Sequence, residues 1–305
     1  MAIPKLLFVS EFDATEPDSR SGVPFRIFEA ARKVDLEASF LQVSERRSFR
    51  EKLLSRLLQY LYRYIFRGKK GWYDAMFSED YSRGLGRNLL NLKNKTDTLI
   101  LSISPRSVAF LPKGPCLALW IDNTFDTYAM YPGRESICRQ TFAEALQVEK
   151  QAFAHATKVY TASYWLANRL PNTHGLSPEK IRVMPRGASL QHLPGISVVQ
   201  QSITLRIQDG ICRLVFVNSG NWLVGRKGGP LVVDTFRRLK RDIPVSLVVI
   251  GNLPVEVRKS LESEGVQCTG KLNKSGENGE ELYIKILLES HFLFIPSIAD
   301  GFGIV

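Results

Sequence analysis

Two adjacent cations in a glycine-rich segment are the first residues whose types and spacing suggest a binding function. Arg226 and Lys227 directly precede the pair Gly228-Gly229, after a predicted strand and before a helix predicted from Pro230. At such a junction the backbone N–H groups and the helix dipole create a site for an anion. The segment is not a P-loop, because Gly228 stands where the magnesium-binding hydroxyl of that motif should be. The pattern favours a turn that binds a diphosphate without an obligatory metal, and the alternative is a solvated basic turn.

A second glycine turn lies near the N-terminus. The segment Ser21-Gly22-Val-Pro stands between the first predicted strand and a helix predicted over Phe25–Lys33. Open α/β sheets bind ligands at the carboxyl edge of their strands, where this loop belongs. A single glycine in such a loop indicates a ligand site only weakly.

The sequence hallmarks of several other chemistries are missing. There is no G-x-S-x-G, H-E-x-x-H or G-x-G-x-x-G segment, which disfavours serine hydrolases, zinc proteases and dinucleotide oxidoreductases. The four histidines do not cluster in the sequence, and the four cysteines form no C-x-x-C pair. We therefore predict no metal site, and reduced thiols in a cytoplasmic protein. The short apolar run before Ser10 does not resemble the hydrophobic region of a signal peptide.

The elements that must position these residues follow from length and composition. A chain of 305 residues with 44% hydrophobic and 23% charged residues is globular and long enough for two domains. Short apolar runs alternate with helical segments, which indicates βαβ units and parallel sheets. The strands predicted in the first part are Lys5–Ser10, Ala38–Val43, Thr98–Ser102, Cys116–Ile121, Lys158–Thr161 and Ile181–Met184.

A segment without clear periodicity separates two series of predicted strands and helices. The segment from Gly187 to Gly210 shows no clear periodicity, and we expect an irregular domain boundary there, between domains at 1–195 and 208–305. The second series opens with a strand predicted over Cys212–Asn218 and has room for at most about four strands, whereas such domains usually have five or six. The predicted fold is α/β with two Rossmann-like domains, the second incomplete.

The positive charge is concentrated in one segment. The net charge is +11, and Arg46–Lys70 holds nine Lys or Arg against Glu51 alone, a local charge of +8. The segment predicts an amphipathic helix with Arg56, Arg63 and Arg67 on its basic face and leucines on the other. Two interpretations stay open: a helix that packs its leucines on its own domain, or an interfacial helix on an anionic membrane surface. Nucleic acid is not a predicted partner, because phosphate binding needs no leucine face.

Five segments together resemble glycosyltransferase family 4, whose members are retaining, nucleotide-sugar-dependent enzymes with two facing Rossmann-like domains (the GT-B fold). They are Ser21-Gly22-Val-Pro, Ala162-Ser-Tyr-Trp165, Gly175-Leu-Ser-Pro-Glu-Lys180-Ile-Arg-Val-Met-Pro185-Arg-Gly187, Arg226-Lys227-Gly-Gly and Pro296-Ser-Ile-Ala-Asp300-Gly-Phe302-Gly303-Ile-Val. The resemblance covers most of the chain in the expected order. It implies a C-terminally truncated member of the family.

The resemblance also implies residue roles. Lys227 and Arg226 would hold the donor diphosphate, and Gly22 would let the N-terminal loop approach it closely. Asp300 would be the catalytic residue, as the first member of the acidic pair that is usually E-x₇-E in the family. The sequence departs from that pattern by having Asp there, and by having Asn221 where an upstream basic residue is usual. The remaining donor-binding residues would be Phe302, Gly303 and Ile304.

The function expected from this resemblance is the transfer of a sugar, with retention, from a UDP- or GDP-sugar to a glycan or lipid-linked acceptor. No cofactor or metal is expected, and the N-terminal domain would bind the acceptor. The alternative is a non-catalytic, truncated glycosyltransferase-like remnant or a membrane-associated interaction protein. The expected location is cytoplasmic, with peripheral attachment to the inner face of the membrane if the basic helix is interfacial.

Overall fold

The segment Cys116–Ile121 is apolar at every position instead of alternating, which is typical of a strand covered on both faces of a parallel sheet. In the computed structural model it is a strand of a parallel sheet, and Leu117 and Ala118, which point to opposite faces, are both buried. The structure describes residues 5–17, 19–34, 37–66, 71–132, 134, 136–188, 190–208, 210–218, 222, 225–274, 276–298 and 300–303.

The chain divides into two compact units, Met1–Gly187 and Ala188–Val305, which are called the N-terminal and C-terminal units below. The N-terminal unit contains a six-stranded parallel sheet in the order β2-β1-β3-β4-β5-β6. Its strands are β1 (Lys5–Ser10), β2 (Glu37–Gln42), β3 (Thr98–Ser102), β4 (Cys116–Ile121), β5 (Lys158–Thr161) and β6 (Ile181–Val183).

The C-terminal unit contains a four-stranded parallel sheet in the order β10-β7-β8-β9. Its strands are β7 (Cys212–Val217), β8 (Val245–Ile250), β9 (Gln267–Gly270) and β10 (Phe292–Phe294). Each sheet is the core of its own unit, with helices packed against it. The predicted α/β architecture of two Rossmann-like units with parallel sheets is confirmed.

Helices connect the strands of both units. In the N-terminal unit they are α1 (Val23–Arg32), α2 (Phe49–Tyr60), α3 (Glu79–Gly86), α4 (Pro105–Val108), α5 (Phe125–Tyr128), α6 (Arg139–His155) and α7 (Tyr164–His174). In the C-terminal unit they are α8 (Ile196–Gln208), α9 (Gly229–Asp242), α10 (Val255–Ser263) and α11 (Glu277–Glu289). None of the described helices combines the length and the apolar composition needed to cross a lipid bilayer.

One helix lies where the sequence predicts irregular structure. Helix α8 packs on α11 through polar groups: the Ser202 hydroxyl donates to the Leu288 carbonyl, and the Arg206 guanidinium donates to the Ser290 carbonyl. The apolar side chains of α8 do not form its packing face, since Ile203, Leu205 and Ile207 are exposed, and the apolar pattern of the sequence therefore does not mark the helix. The expectation of an irregular segment from Gly187 to Gly210 was wrong for this reason.

Helix α7 continues past an internal proline. Pro171 lies inside the helix, which ends at Gly175 in the left-handed conformation (φ 66°). The Gly175 N–H donates to the Pro171 carbonyl at 3.1 Å, and the Leu176 N–H donates to the Leu170 carbonyl at 3.5 Å. Proline removes one donor, but the following turn still closes because its carbonyl groups find these partners.

Candidate functional site

The basic turn of the C-terminal unit joins β7 to α9 and needs its two glycines for steric reasons. Gly228 has φ 76°, and a Cβ at this position would overlap the Pro296 carbonyl oxygen. A Cβ at Gly229 would overlap the ring of Trp222. Gly228 therefore lets the turn lie directly against the segment that follows β10, and Gly229 lets the start of the helix lie against Trp222. As a result the first residues of a 14-residue helix, with their unpaired N–H groups, begin immediately after Arg226 and Lys227.

The segment after β10 returns to the basic turn. The Ile298 N–H donates to the Arg226 carbonyl at 2.9 Å, and the ammonium group of Lys227 forms an ion pair with the carboxylate of Asp300. The side chains of Lys227 and Asp300 are only 13% and 24% exposed. Two residues 73 positions apart in the chain thus form one charged site at the N-terminus of α9.

The electrostatics of Asp300 follow from these contacts. Burial raises the pKa of its carboxyl group, but the hydrogen bond and charge of Lys227 outweigh this effect. The Gly303 N–H and the Arg226 charge act in the same direction as Lys227, so the pKa lies below its ordinary value of 3.8. Asp300 is therefore a carboxylate at neutral pH and compensates much of the Lys227 charge when no ligand is bound.

The structure brings together several of the residues singled out in the sequence. The Asp300 carboxylate contacts the Lys227 ammonium group and the Gly303 N–H, and it lies within the field of the Arg226 charge. Phe302 is half-buried beside them in the chain. Ile304, Arg67 and Asn221 lie outside the described residues.

Gly22 belongs to the N-terminal unit, where it precedes α1. It has φ 78°, and a Cβ would lie 2.8 Å from the Pro17 carbonyl oxygen. Glycine is therefore required at this position by the backbone itself. That requirement is independent of any ligand.

The basic segment forms α2 and one turn of π-helix, Leu61–Ile65. Two groups hold the helix to its unit: Glu51 accepts two hydrogen bonds from the Arg87 guanidinium, and Ser55, buried, accepts one from Arg47 at 2.8 Å. Glu51 also caps the helix by accepting from the Ser48 N–H. The side of α2 that packs on the unit thus combines these polar contacts with Leu58, which packs against the buried cluster of Tyr73, Ala75 and Cys138.

Apart from Leu58, the leucines of α2 are not in the core. Leu53, Leu54 and Leu57 are each about half exposed, and Phe49 is 78% exposed. Leu58 thus packs on its own unit whereas Leu53, Leu54 and Leu57 do not, so both interpretations of the segment stay open. Arg56 and Arg63 are exposed on the same helix. The described surface of α2 therefore presents apolar and cationic side chains together.

A buried polar cluster was not expected from the sequence. Asp126, Glu149 and His174 place one ligand-type atom each within 4.8 Å of one another. The Glu149 carboxylate accepts from the Phe125 N–H at 2.7 Å and lies 2.8 Å from His174 Nε2, while the Asp126 carboxylate accepts from Arg169 at 2.6 Å. These partners occupy the oxygens that a metal ion would need, so the cluster is a hydrogen-bond network that ties α5, α6 and α7 together.

Burial dominates the titration of Glu149 in this cluster. It raises the pKa of Glu149 above its ordinary value, although the hydrogen bond and charge of His174 and the Phe125 N–H oppose the shift. No local motif could have revealed the cluster, because its three members come from three helices.

Comparison with known proteins gives a result at the level of structure. No protein-family model matches the chain, and no curated protein matches it. Two trehalose-phosphate synthases match over 99% of this chain at 12% identity: that of Burkholderia multivorans (TM-score 0.56, 78% of its chain) and the UDP-forming enzyme of Burkholderia vietnamiensis (TM-score 0.57, 79% of its chain).

A third similar structure is WaaG, described as a glycosyltransferase involved in lipopolysaccharide biosynthesis. It matches over 97% of this chain and 76% of its own, with 14% identity and a TM-score of 0.52. At such low identity the similarity concerns the fold. The chain has the GT-B fold of these glycosyltransferases, with its two Rossmann-like units.

Proposed function

We propose that the chain is a retaining glycosyltransferase that moves a sugar from a UDP- or GDP-sugar to a glycan or lipid-linked acceptor. The observation that carries the proposal is the charged site at the N-terminus of α9, where Arg226, Lys227 and Asp300 meet. The fold is shared with a UDP-forming synthase and another glycosyltransferase, which supports the same reaction class.

In this proposal the C-terminal unit binds the donor. The diphosphate accepts hydrogen bonds from the free N–H groups of α9 and from the Arg226 and Lys227 side chains, which stabilise the negative charge that develops on the leaving group. Because these donors are protein groups, no metal ion or other cofactor takes part. Phe302, Gly303 and Ile304 line the nucleotide and the distal phosphate.

Asp300 is the proposed catalytic residue. As a carboxylate held beside Lys227, it can accept hydrogen bonds from hydroxyl groups of the sugar that is transferred. Lys227 then shifts from its ion pair with Asp300 to the diphosphate, and the donor role of Gly22 stays a prediction of the resemblance. The acceptor is bound by the N-terminal unit.

Calorimetric titration of the 305-residue chain with UDP and with GDP tests donor binding. Lys227→Ala should weaken nucleotide binding at least tenfold, because a charge-assisted hydrogen bond to phosphate contributes about 1.5–3 kcal/mol. Lys259→Ala is the matched control, since Lys259 is an exposed lysine of the same unit and far in sequence from the basic turn. Equal affinity of Lys227→Ala and wild type would refute the donor site.

Catalysis is tested separately by a screen of nucleotide-sugars for hydrolysis and transfer. Release of UDP or GDP by the wild type, but not by Asp300→Ala, would support the proposed glycosyltransferase activity. Nucleotide binding without turnover of any sugar nucleotide would instead support the alternative of a non-catalytic glycosyltransferase-like protein.

We further propose that the enzyme works at an anionic membrane surface, as a peripheral cytoplasmic protein that binds through Arg46–Lys70. The exposed leucines and Phe49 of α2 supply apolar insertion, while Arg56 and Arg63 supply attraction of roughly 1 kcal/mol each near an anionic surface. Nucleic acid is not a proposed partner, because the exposed apolar side chains have no role in phosphate binding.

Co-sedimentation with vesicles of neutral or anionic lipid tests this surface. Binding should require anionic lipid, weaken with salt, and fall in both Arg56→Glu/Arg63→Glu and Leu57→Ser. Arg238→Glu, an exposed arginine of α9, is the charge control. Equal binding to neutral and anionic vesicles would refute the proposal.

A further inference from the structure

A cavity of about 360 Å³ opens in the N-terminal unit, and its described lining includes none of the residues assigned above to donor binding. Its walls include Phe12 after β1, Ser104 after β3 and Asp122 after β4, so it lies at the carboxyl edge of the sheet. Ligands of open α/β sheets bind at this edge. Its volume is at the low end of the range of about 300–1,000 Å³ for ligand pockets, which suits one sugar ring better than a long chain.

One wall of the cavity is aromatic. The rings of Phe77, Phe125 and Tyr128 contact one another, with centroids 4.6 to 5.9 Å apart. The negative face of an aromatic ring attracts the polarised C–H groups on the apolar side of a sugar ring. These rings therefore give a platform for a monosaccharide.

Most charged groups on the walls already have protein partners. Arg106 donates to the Glu11 carboxylate at 2.8 Å, and Asp122 accepts from Arg186 at 2.8 Å. Asp74 accepts from the Met76 N–H at 3.1 Å through Oδ1, and no group of the described residues donates to its second oxygen. Asp74 and Asp122 can thus accept hydrogen bonds from sugar hydroxyls.

Arg134 differs from these groups. Its guanidinium lies 4.6 Å from the ring centre of Tyr128 and 5.4 Å from that of Trp72, and within the described part of the chain no carboxylate pairs with it. Such stacking holds the cation in place and leaves its N–H groups free for a ligand. Burial raises the pKa of Tyr128, with the Arg134 charge opposing, so its hydroxyl stays a neutral donor beside the cation.

We propose that this cavity binds the acceptor as a monosaccharide that carries an anionic substituent, a phosphate or a carboxylate, with Arg134 binding the anion. The aromatic wall contacts the ring, Asp74 and Asp122 accept from its hydroxyls, and the Tyr128 hydroxyl donates next to Arg134. That the bound sugar is the acceptor of the transfer rests on the proposed function. The binding of an anionic sugar stands on the cavity alone.

The test is calorimetric titration of the 305-residue chain, without nucleotide, with glucose 6-phosphate, glucuronate, glucose and inorganic phosphate. We expect one or both anionic sugars to bind at least tenfold more tightly than glucose and than inorganic phosphate. Arg134→Gln should remove at least tenfold of that affinity, and Arg139→Gln, an exposed arginine close in sequence, should leave it unchanged. Tyr128→Phe, which removes one hydroxyl and keeps the ring, should weaken the anionic sugar more than glucose.

Several results would overturn the proposal. If glucose and both anionic sugars bind equally tightly, Arg134 does not recognise the anion. If inorganic phosphate binds as tightly as glucose 6-phosphate, the cavity does not recognise the sugar ring. The proposal is also refuted if no probe binds, or if neither Arg134→Gln nor Tyr128→Phe weakens the binding of an anionic sugar. UDP titration of the same samples separates the two proposals, because UDP binding without sugar binding refutes only this one, and sugar binding without UDP binding refutes only the donor site.

Discussion

Replacing Asp300 with asparagine is expected to tighten the binding of UDP. In the free chain the Asp300 carboxylate occupies the Lys227 ammonium group and repels any second anion that approaches it. Asparagine is nearly the same size and keeps an oxygen that can accept from Lys227 and from the Gly303 N–H. The variant therefore removes the negative charge and keeps the local hydrogen bonds.

The size of the effect follows from Coulomb's law. A phosphate oxygen on the other side of the ammonium group would lie roughly 6 Å from the carboxylate, where two unit charges repel by about 3 kcal/mol at an effective dielectric constant of 20 and about 0.7 kcal/mol in water. The Asp300 side chain is 24% exposed, which places the site between these limits. A gain of about 1–2 kcal/mol corresponds to roughly five- to thirtyfold tighter binding.

Calorimetry of wild type and Asp300→Asn with UDP, at 0.15 M and at roughly 0.5 M salt, measures this gain. The difference between the two proteins should shrink at the higher salt concentration, because screening weakens the repulsion. Asp242→Asn is the matched control, an exposed aspartate at the end of α9. Weaker or unchanged UDP binding in a folded Asp300→Asn protein would refute the reasoning, since it would show that Asp300 does not compete with the diphosphate for Lys227.

Three further variants test the fold around the proposed sites. Gly228→Ala should lower the free energy of unfolding by about 1–3 kcal/mol in urea titrations, because of its positive φ and the Pro296 carbonyl, while Gly187→Ala, where a Cβ has open space, should cost little. Glu149 has a raised pKa, so its contribution to stability is present below about pH 4.5 and lost as pH rises through its folded pKa. Melting temperatures across pH should therefore fall less steeply above that point in Glu149→Gln than in wild type, and parallel curves would contradict this. The hydrogen bond from Arg87 and the Ser48 cap lower the pKa of Glu51 to about 2, so its stabilisation is present above about pH 4.5 and lost as pH falls towards 2. Glu51→Gln should speed hydrogen exchange in α2 at neutral pH and leave the sheet amides unchanged, and unaltered exchange in α2 would show that Glu51 does not tether it.

The elements that depend on neighbours in the sequence could be predicted well. The continuous apolar run of β4 and the helix that follows Gly228-Gly229 lie close to their predicted bounds. Apolar periodicity and the conformational preference of glycine act over a few residues, and the sequence displays them directly. Helix α8 was not predicted because Ser202 and Arg206 provide its packing contacts, while most of its apolar side chains are exposed and indicate no core-facing side.

Contacts between distant parts of the chain could not be predicted from the sequence. The resemblance singled out Lys227 and Asp300 for separate roles, but their ion pair exists only because the parallel pairing of β10 with β7 brings the ends of both strands to one edge of the sheet. The direction in which the α2 leucines point was likewise fixed by tertiary bonds, those of Glu51 with Arg87 and of Ser55 with Arg47.

The sequence by itself thus determined the α/β architecture, the glycine turns and the concentration of positive charge in one segment. The tertiary structure alone decided which face of α2 is exposed, which carboxylate pairs with Lys227, and that Arg134 lines a cavity beside Tyr128 without a carboxylate partner among the described residues. The physical reason is that the patterns of the first group arise from interactions along a few turns of chain. Those of the second depend on strand order and loop closure, which bring together side chains whose spacing in the sequence follows no rule.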